Sequence, residues 1–136
     1  MEIHESIQEI FRNDRRVAEL FYGLFLERYP EARPYFEGID LKRQAVLLTM
    51  ALMLVEHHYV HLNRVTEDYL RVLGYQHHVR RGIPAELYPP FCECLLVALE
   101  QSHGEAWEPR LAEQWREALE MISRIMLQGY QGHHPV

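Results

Sequence analysis

The stretch LGYQHHVRRGIPAELYPP, from Leu73 to Pro90, sets two adjacent histidines, His77 and His78, at the end of a helical pattern, just ahead of a glycine, a proline and a tyrosine. Tyr69, Leu70 and Leu73 recur at helical spacing before the pair. Gly82 suits the stop that follows, and Pro84 suits the first turn of another helix. Taken alone, such a pair reads as two solvated histidines at a helix C-terminus, where positive charge meets the negative end of the helix dipole. The rest of the chain gives it another meaning.

Upstream, the helix carrying the pair begins near Val65 or Thr66. Before it lies a long helix, capped by Asp40 and running to about Leu62, that contains the apolar run AVLLTMALMLV from Ala45 to Val55. Gly38 opens the corner ahead of that helix, and PEARPYF forms a short helical turn. Pro30 ends a second helix that buries Val17, Leu20, Phe21, Leu24 and Phe25. Asn13 or Asp14 caps this second helix. The first helix covers Ile3 to Phe11, with Ile3, Ile7, Ile10 and Phe11 on one face. Downstream, AELYPPFCECLLVALEQSHG gives a helix to about Gly104 whose first turn is delayed or distorted by Pro89 and Pro90. A last helix from about Glu108 and Pro109 packs Leu111, Trp115, Leu119, Ile122, Ile125 and Met126, and the tail 131–136 is expected to fray. No segment alternates apolar and polar residues long enough to make a strand, so the expected fold is all-α.

At 136 residues the chain is expected to be one domain, 1–136, large enough for a single core and a cofactor. The net charge of -6 argues against a nucleic-acid surface, which needs a basic face to displace counterions. The run Ala45–Val55 is too short to cross a bilayer, so no membrane partner is expected. The start MEIHESIQEIF has no apolar block with a cleavage site, which points to a cytoplasmic protein. Cys92 and Cys94, two apart on a helix, face different ways and are read as reduced thiols. His57, His58 and His61 have no third ligand at metal spacing and are read as solvated histidines at a helix end.

Four further spacings bear on function. In LFYGLFLERYP, Tyr22 stands eight residues before Pro30; Phe36 stands six residues after it; in HVRRGIPAELYP, His78 stands ten residues before Tyr88; and EAWEPRLAEQWREA opens the last helix. These motifs resemble the bacterial single-domain globins and the globin half of flavohaemoglobins over nearly the whole chain. The resemblance implies a globin fold, a three-on-three helical sandwich around a haem pocket. It also implies haem b as cofactor and O2, CO and NO as ligands, for O2 binding, transport or storage.

Residue by residue, the resemblance gives Tyr22 the role of the hydroxyl facing bound gas, and Phe36 that of the ring wedged against haem. Tyr88 becomes the neighbour of the proximal imidazole, and His78, by its distance to Tyr88, the iron ligand. Counting forward from Leu73 and Gly74 selects His77 instead, and helical spacing places Leu73 and His77 on one face. On the long helix an ungapped match puts Arg43 and Leu47 beside the ligand, and a one-residue shift puts Gln44 and Leu48 there. Val46, Leu47 and Leu48 are expected to keep that side dry. The residue types suit the chemistry: iron takes a neutral imidazole nitrogen, the other ring nitrogen needs an acceptor, and a phenol can donate to bound O2.

One departure bears on activity. The flavohaemoglobin pattern has a glutamate late in the last helix that bonds the proximal histidine and tyrosine, and here the corresponding residue is Tyr130. The alternatives to an O2 carrier are an NO dioxygenase served by a separate reductase and a gas-sensing module acting through a partner. Either a monomer or a homodimer is compatible with the sequence.

Overall fold

The computed structural model describes residues 1–13 and 15–132. Among these residues the α-helices are α1 (Ile3–Arg12), α2 (Arg16–Arg28), α3 (Leu41–Val60), α4 (Arg64–Val79), α5 (Tyr88–His103) and α6 (Pro109–Tyr130). Short 3-10 turns precede α3, α5 and α6, at Pro30–Phe36, Ala85–Leu87 and Gly104–Ala106. No strand occurs among the described residues.

The caps explain most boundaries. Asp40 accepts a hydrogen bond from the Lys42 amide at 2.9 Å and opens α3, and Asn63 accepts from the Thr66 amide at 2.8 Å and opens α4. Pro89 and Pro90 sit in the first turn of α5, where missing amide donors cost nothing. At the corner before α2, Asn13 ends α1, and the N-cap is Arg15 in the left-handed region with φ 70°. Asp14, the other expected cap, and residues 133–136 of the expected frayed tail lie outside the described residues. Phe11 is also not on the buried face: α1 turns Ile3, Ile7 and Ile10 inward and leaves Phe11 exposed.

Two layers of three helices build the core, α1, α3 and α4 over α2, α5 and α6. Phe21 and Phe25 of α2 meet Phe91 of α5 with ring centroids 4.5 and 5.6 Å apart. From α6, Leu111, Trp115, Ala118, Leu119 and Ile122 fill the centre. Trp115 is sealed in completely, and its indole N–H donates to Ser6 Oγ at 3.0 Å. His103 Nδ1–H donates to the Leu99 carbonyl at 2.7 Å, so His103 Nε2 is left to accept the Ser6 proton at 2.6 Å. Ser6→Ala would strand both the indole N–H and the imidazole nitrogen. It is expected to cost about 1–3 kcal/mol in urea denaturation, and an unchanged midpoint would show the chain of bonds to be dispensable.

What positions the site is how α4 is held. It rests almost wholly on α6 and hardly touches α3, although only residues 61–63 separate the two in sequence. Gly74 and Gly129 make the α4–α6 approach possible. A Cβ at Gly74 would fall against the Met126 backbone, only 2.6 Å from its carbonyl carbon. One at Gly129 would fall against the Arg71 carbonyl and lie 2.8 Å from the Tyr75 amide nitrogen. Beside this crossing Arg71 Nε donates to Gln128 at 2.7 Å. The outcome is an open seam between α3 and α4.

Candidate functional site

The seam holds an apolar cavity of about 200 Å³. Leu48, Ala51, Leu52 and Val55 of α3 form one wall and Leu73 and His77 of α4 the other, with Phe36 and Phe25 at one end and Ile122 and Met126 below. Nearly every lining group is hydrocarbon. His77 is the one strong nitrogen donor on the wall.

His77, not His78, takes this position. His78 is exposed on the outer flank of α4, its ring stacked on Tyr130 at 4.7 Å. The reason lies in the rotational phase of the helix. Gly74 must face α6, and the face shared by Leu73 and His77, one turn apart, then turns to the cavity while His78 rotates past it. The count back from Tyr88 leads to a residue off the cavity wall, and the corner that follows the pair is a wide turn. There the Ile83 amide returns to the His77 carbonyl at 3.0 Å and the Gly82 amide to the His78 carbonyl at 3.2 Å. Gly82, at φ 63°, supplies the left-handed residue this turn needs.

A file of hydroxyls orients the His77 ring. Its Nδ1 lies 3.4 Å from the Tyr88 hydroxyl, Tyr88 is hydrogen-bonded to Tyr130, and Tyr130 O–H donates to the Ile83 carbonyl at 2.8 Å. A carbonyl can only accept, so the direction of the file is set from that end. The Tyr130 oxygen accepts from Tyr88 O–H, and the Tyr88 oxygen accepts from His77 Nδ1–H. His77 Nε2 is thereby left as a bare lone pair. Burial pushes the Tyr88 and Tyr130 phenols up, so both stay protonated. Burial, helped by the Arg81 cation, pulls the His77 pKa down to about 4, so the ring is neutral near pH 7.

On the opposite side the phase of α3 corrects the ungapped match. Arg43, Val46 and Leu47 are exposed, while Leu48 lines the cavity and Gln44, one turn earlier, is hydrogen-bonded to Tyr22. Tyr22 is buried edge-on against Phe36, ring centroids 5.5 Å apart, and so stands one ring behind the cavity wall; its own edge borders a shallow cleft between α2 and α3. Burial outweighs the Gln44 bond and raises its pKa to about 12, which keeps its proton available. His58 is a second correction. Three residues beyond Val55 on the inner side of α3, it is only 1% exposed rather than solvated. Neither ring nitrogen has a hydrogen-bond partner, and Nε2 lies 3.6 Å from a Glu67 carboxylate oxygen. His57 and His61 are exposed, as expected.

Arg81 was not singled out from the sequence. Its guanidinium donates to the Tyr35 carbonyl at 3.4 Å and acts electrostatically on both His77 and Tyr22, which places it at the mouth of the site between α4 and the Pro30–Phe36 turn. The signal was present: Arg80 and Arg81 follow the histidines after a single residue, Val79, a pair of cations beside an apolar pocket.

Comparison with known proteins agrees with this architecture. The globin family profile matches residues 19–126. An uncharacterized globin-like protein of Aquifex aeolicus (strain VF5) is 22% identical over 125 residues, 92% of this chain and 86% of that one. Among solved structures, a globin from Campylobacter jejuni superposes with a TM-score of 0.79 at 20% identity, covering 96% of this chain and 92% of that one. A Pseudomonas aeruginosa PAO1 protein described as structurally highly homologous to a human hemoglobin gives 0.75 at 22% identity, covering 92% and 98%. An engineered carbene transferase from Rhodothermus marinus, named as a candidate nitric oxide dioxygenase, gives 0.80 at 24% identity, covering 96% and 90%. With the profile spanning most of its length and the three-on-three helices closing on an apolar, histidine-bearing slot, the chain belongs to the globin family.

Proposed function

We propose that the protein binds haem b between α3 and α4 through His77 and takes up O2, CO or NO reversibly on the opposite side. The observation that carries this reading is the bare, neutral Nε2 of His77 on a hydrocarbon wall, with its other nitrogen already committed to an acceptor. That is the donor haem iron uses, in the orientation an outer hydrogen bond confers. Iron in the bound haem supplies the centre at which a diatomic gas attaches.

The remaining residues suit the same reading. Phe36, Leu48, Leu52, Val55 and Leu73 offer flat apolar contact and exclude water. Arg81 stands where an acidic edge of the cofactor would need a cation. Gln44 and Tyr22 hold a hydrogen-bond pair behind Phe36, from which the Tyr22 proton can serve a partly negative ligand atom. The slot is narrow beside the 300–1,000 Å³ of ordinary small-molecule sites, and the sparse contact between α3 and α4 is what lets it widen. The sequence has no Cys-x-x-Cys-His attachment motif, which favours haem held without covalent bonds.

The neutral end of the hydroxyl file favours reversible binding. Because it stops at the Ile83 carbonyl and not at a carboxylate, it gives His77 little anionic character and iron little push toward oxygen chemistry. NO dioxygenation, the activity in the Rhodothermus protein's name, would further call for a separate reductase.

The test is haem titration of the full chain. One haem per chain is expected, with a five-coordinate, imidazole-type ferrous spectrum and a six-coordinate CO complex. An oxy complex that persists without a reductase supports binding, and rapid nitrate formation from NO with catalytic electrons would move the reading to the enzyme. A chain that takes up no stoichiometric haem would sink both.

A further inference from the structure

The run that contributes Leu48, Leu52 and Val55 to the cavity is apolar on its other side too. On the outer face of α3, Val46 is 53% exposed, Leu47 51%, Met50 48% and Met53 37%. At 100° per residue these four share one side of the helix with the exposed Arg43 and His57, and Val60 continues the strip. The outer face of α6, by contrast, presents Glu113, Arg116, Glu117, Glu120 and Arg124. An exposed apolar strip of this length is uncommon on a monomer and marks a contact surface.

Charge placement identifies the occupant. Lys42 and Glu56 lie along the same edge of the strip, seven residues either side of Thr49. Neither has an ion-pair partner among the described residues. Turning a second copy of α3 about a two-fold axis near Thr49 brings each Lys42 beside the partner's Glu56, because same-edge residues meet when two helices run antiparallel. The same rotation sets Val46 near the partner's Met53 and brings the two Met50 side chains together at the axis. Flexible thioethers at a self-contact can adapt to each other's shape. The strip is thus complementary to itself in charge and in polarity, as an isologous interface requires.

We propose that the outer face of α3 is the interface of an antiparallel homodimer of this chain, with Met50 beside the two-fold axis near Thr49 and reciprocal Lys42–Glu56 ion pairs at its ends. The helices cross at the shallow angle, about 20°, that keeps residues seven positions from the axis adjacent. This arrangement does not depend on any cofactor.

Sedimentation equilibrium of the full chain tests it, with circular dichroism confirming that each variant is folded. The wild type is expected to be dimeric. Met50→Glu sets two carboxylates against each other at the axis and is expected to weaken the dimer by about 100-fold or more. Lys42→Glu weakens it by roughly 10-fold, and combining it with Glu56→Lys restores the wild-type constant, because the exchange re-forms both pairs with reversed polarity. A monomer at every concentration, a dimer indifferent to Met50→Glu, or a double variant as weak as the single one would each overturn the proposal. So would a partner other than this chain competing the dimer off the strip while the two charge variants leave self-association untouched.

Discussion

His77→Ala is expected to abolish the imidazole-to-iron signature of the haem-loaded chain, whereas His78→Ala leaves it in place. The two substitutions remove the same ring from adjacent positions of one exposed-to-buried turn, so they differ only in which side of α4 they strip. His77 faces the cavity with a bare nitrogen; His78 stacks on Tyr130 outside it. Losing the ligand itself should lower haem affinity by more than the 10–100-fold typical of losing an outer hydrogen-bond partner. Tyr88→Phe, which removes such a partner, is expected to stay within that range. Adding free imidazole to the His77→Gly chain should restore the ferrous spectrum, since the space left is apolar and the acceptor hydroxyl remains. If His78→Ala alone lost the signature, the cavity assignment and the phase of α4 would both be wrong.

The second large effect belongs to Gly74→Ala. A methyl group there meets the Met126 backbone and not a movable side-chain end, so α4 and α6 have to separate along their main contact. The substitution should gain about 1 kcal/mol of helix propensity and still lose about 3 kcal/mol or more net, because backbone clashes relax poorly. His77 lies three residues on, so haem affinity should fall with stability. Gly23→Ala is the control: nothing lies within 4 Å of its Cβ position, and it should be neutral or slightly stabilising. Urea denaturation compares the three chains, and a Gly74→Ala midpoint equal to that of Gly23→Ala would show that the close approach is not needed.

The helices were legible in the sequence wherever polarity had a period and a cap. Asp40, the proline at position 30 and the apolar spacing from Leu111 to Met126 marked their elements because each acts within a few residues. Phase was harder. The run from Ala45 to Val55 is apolar all round, so no periodicity could say whether Leu47 or Leu48 faces inward; packing of Ala45, Leu48, Leu52 and Val55 decides it. For the same reason His58, next to the exposed His57, could not be seen as buried. The histidine pair stood out, but which member faces the cavity turned on a backbone contact between residues 74 and 126. Leu73 and His77 did share a face in the sequence, and both line the cavity in the fold. The direction of the Tyr88–Tyr130 file was out of reach, since it depends on a carbonyl at residue 83 that only the folded corner brings near residue 130.

The dependence of α4 on a single neighbour has a dynamic consequence. A helix anchored on one side by α6 can swing away as a unit while the aromatic contacts of α2 with α5 stay shut. The sparse seam between α3 and α4 would then also be the doorway through which a flat guest enters, and the hold of two glycines and an arginine on the last helix would govern how long such a guest resides.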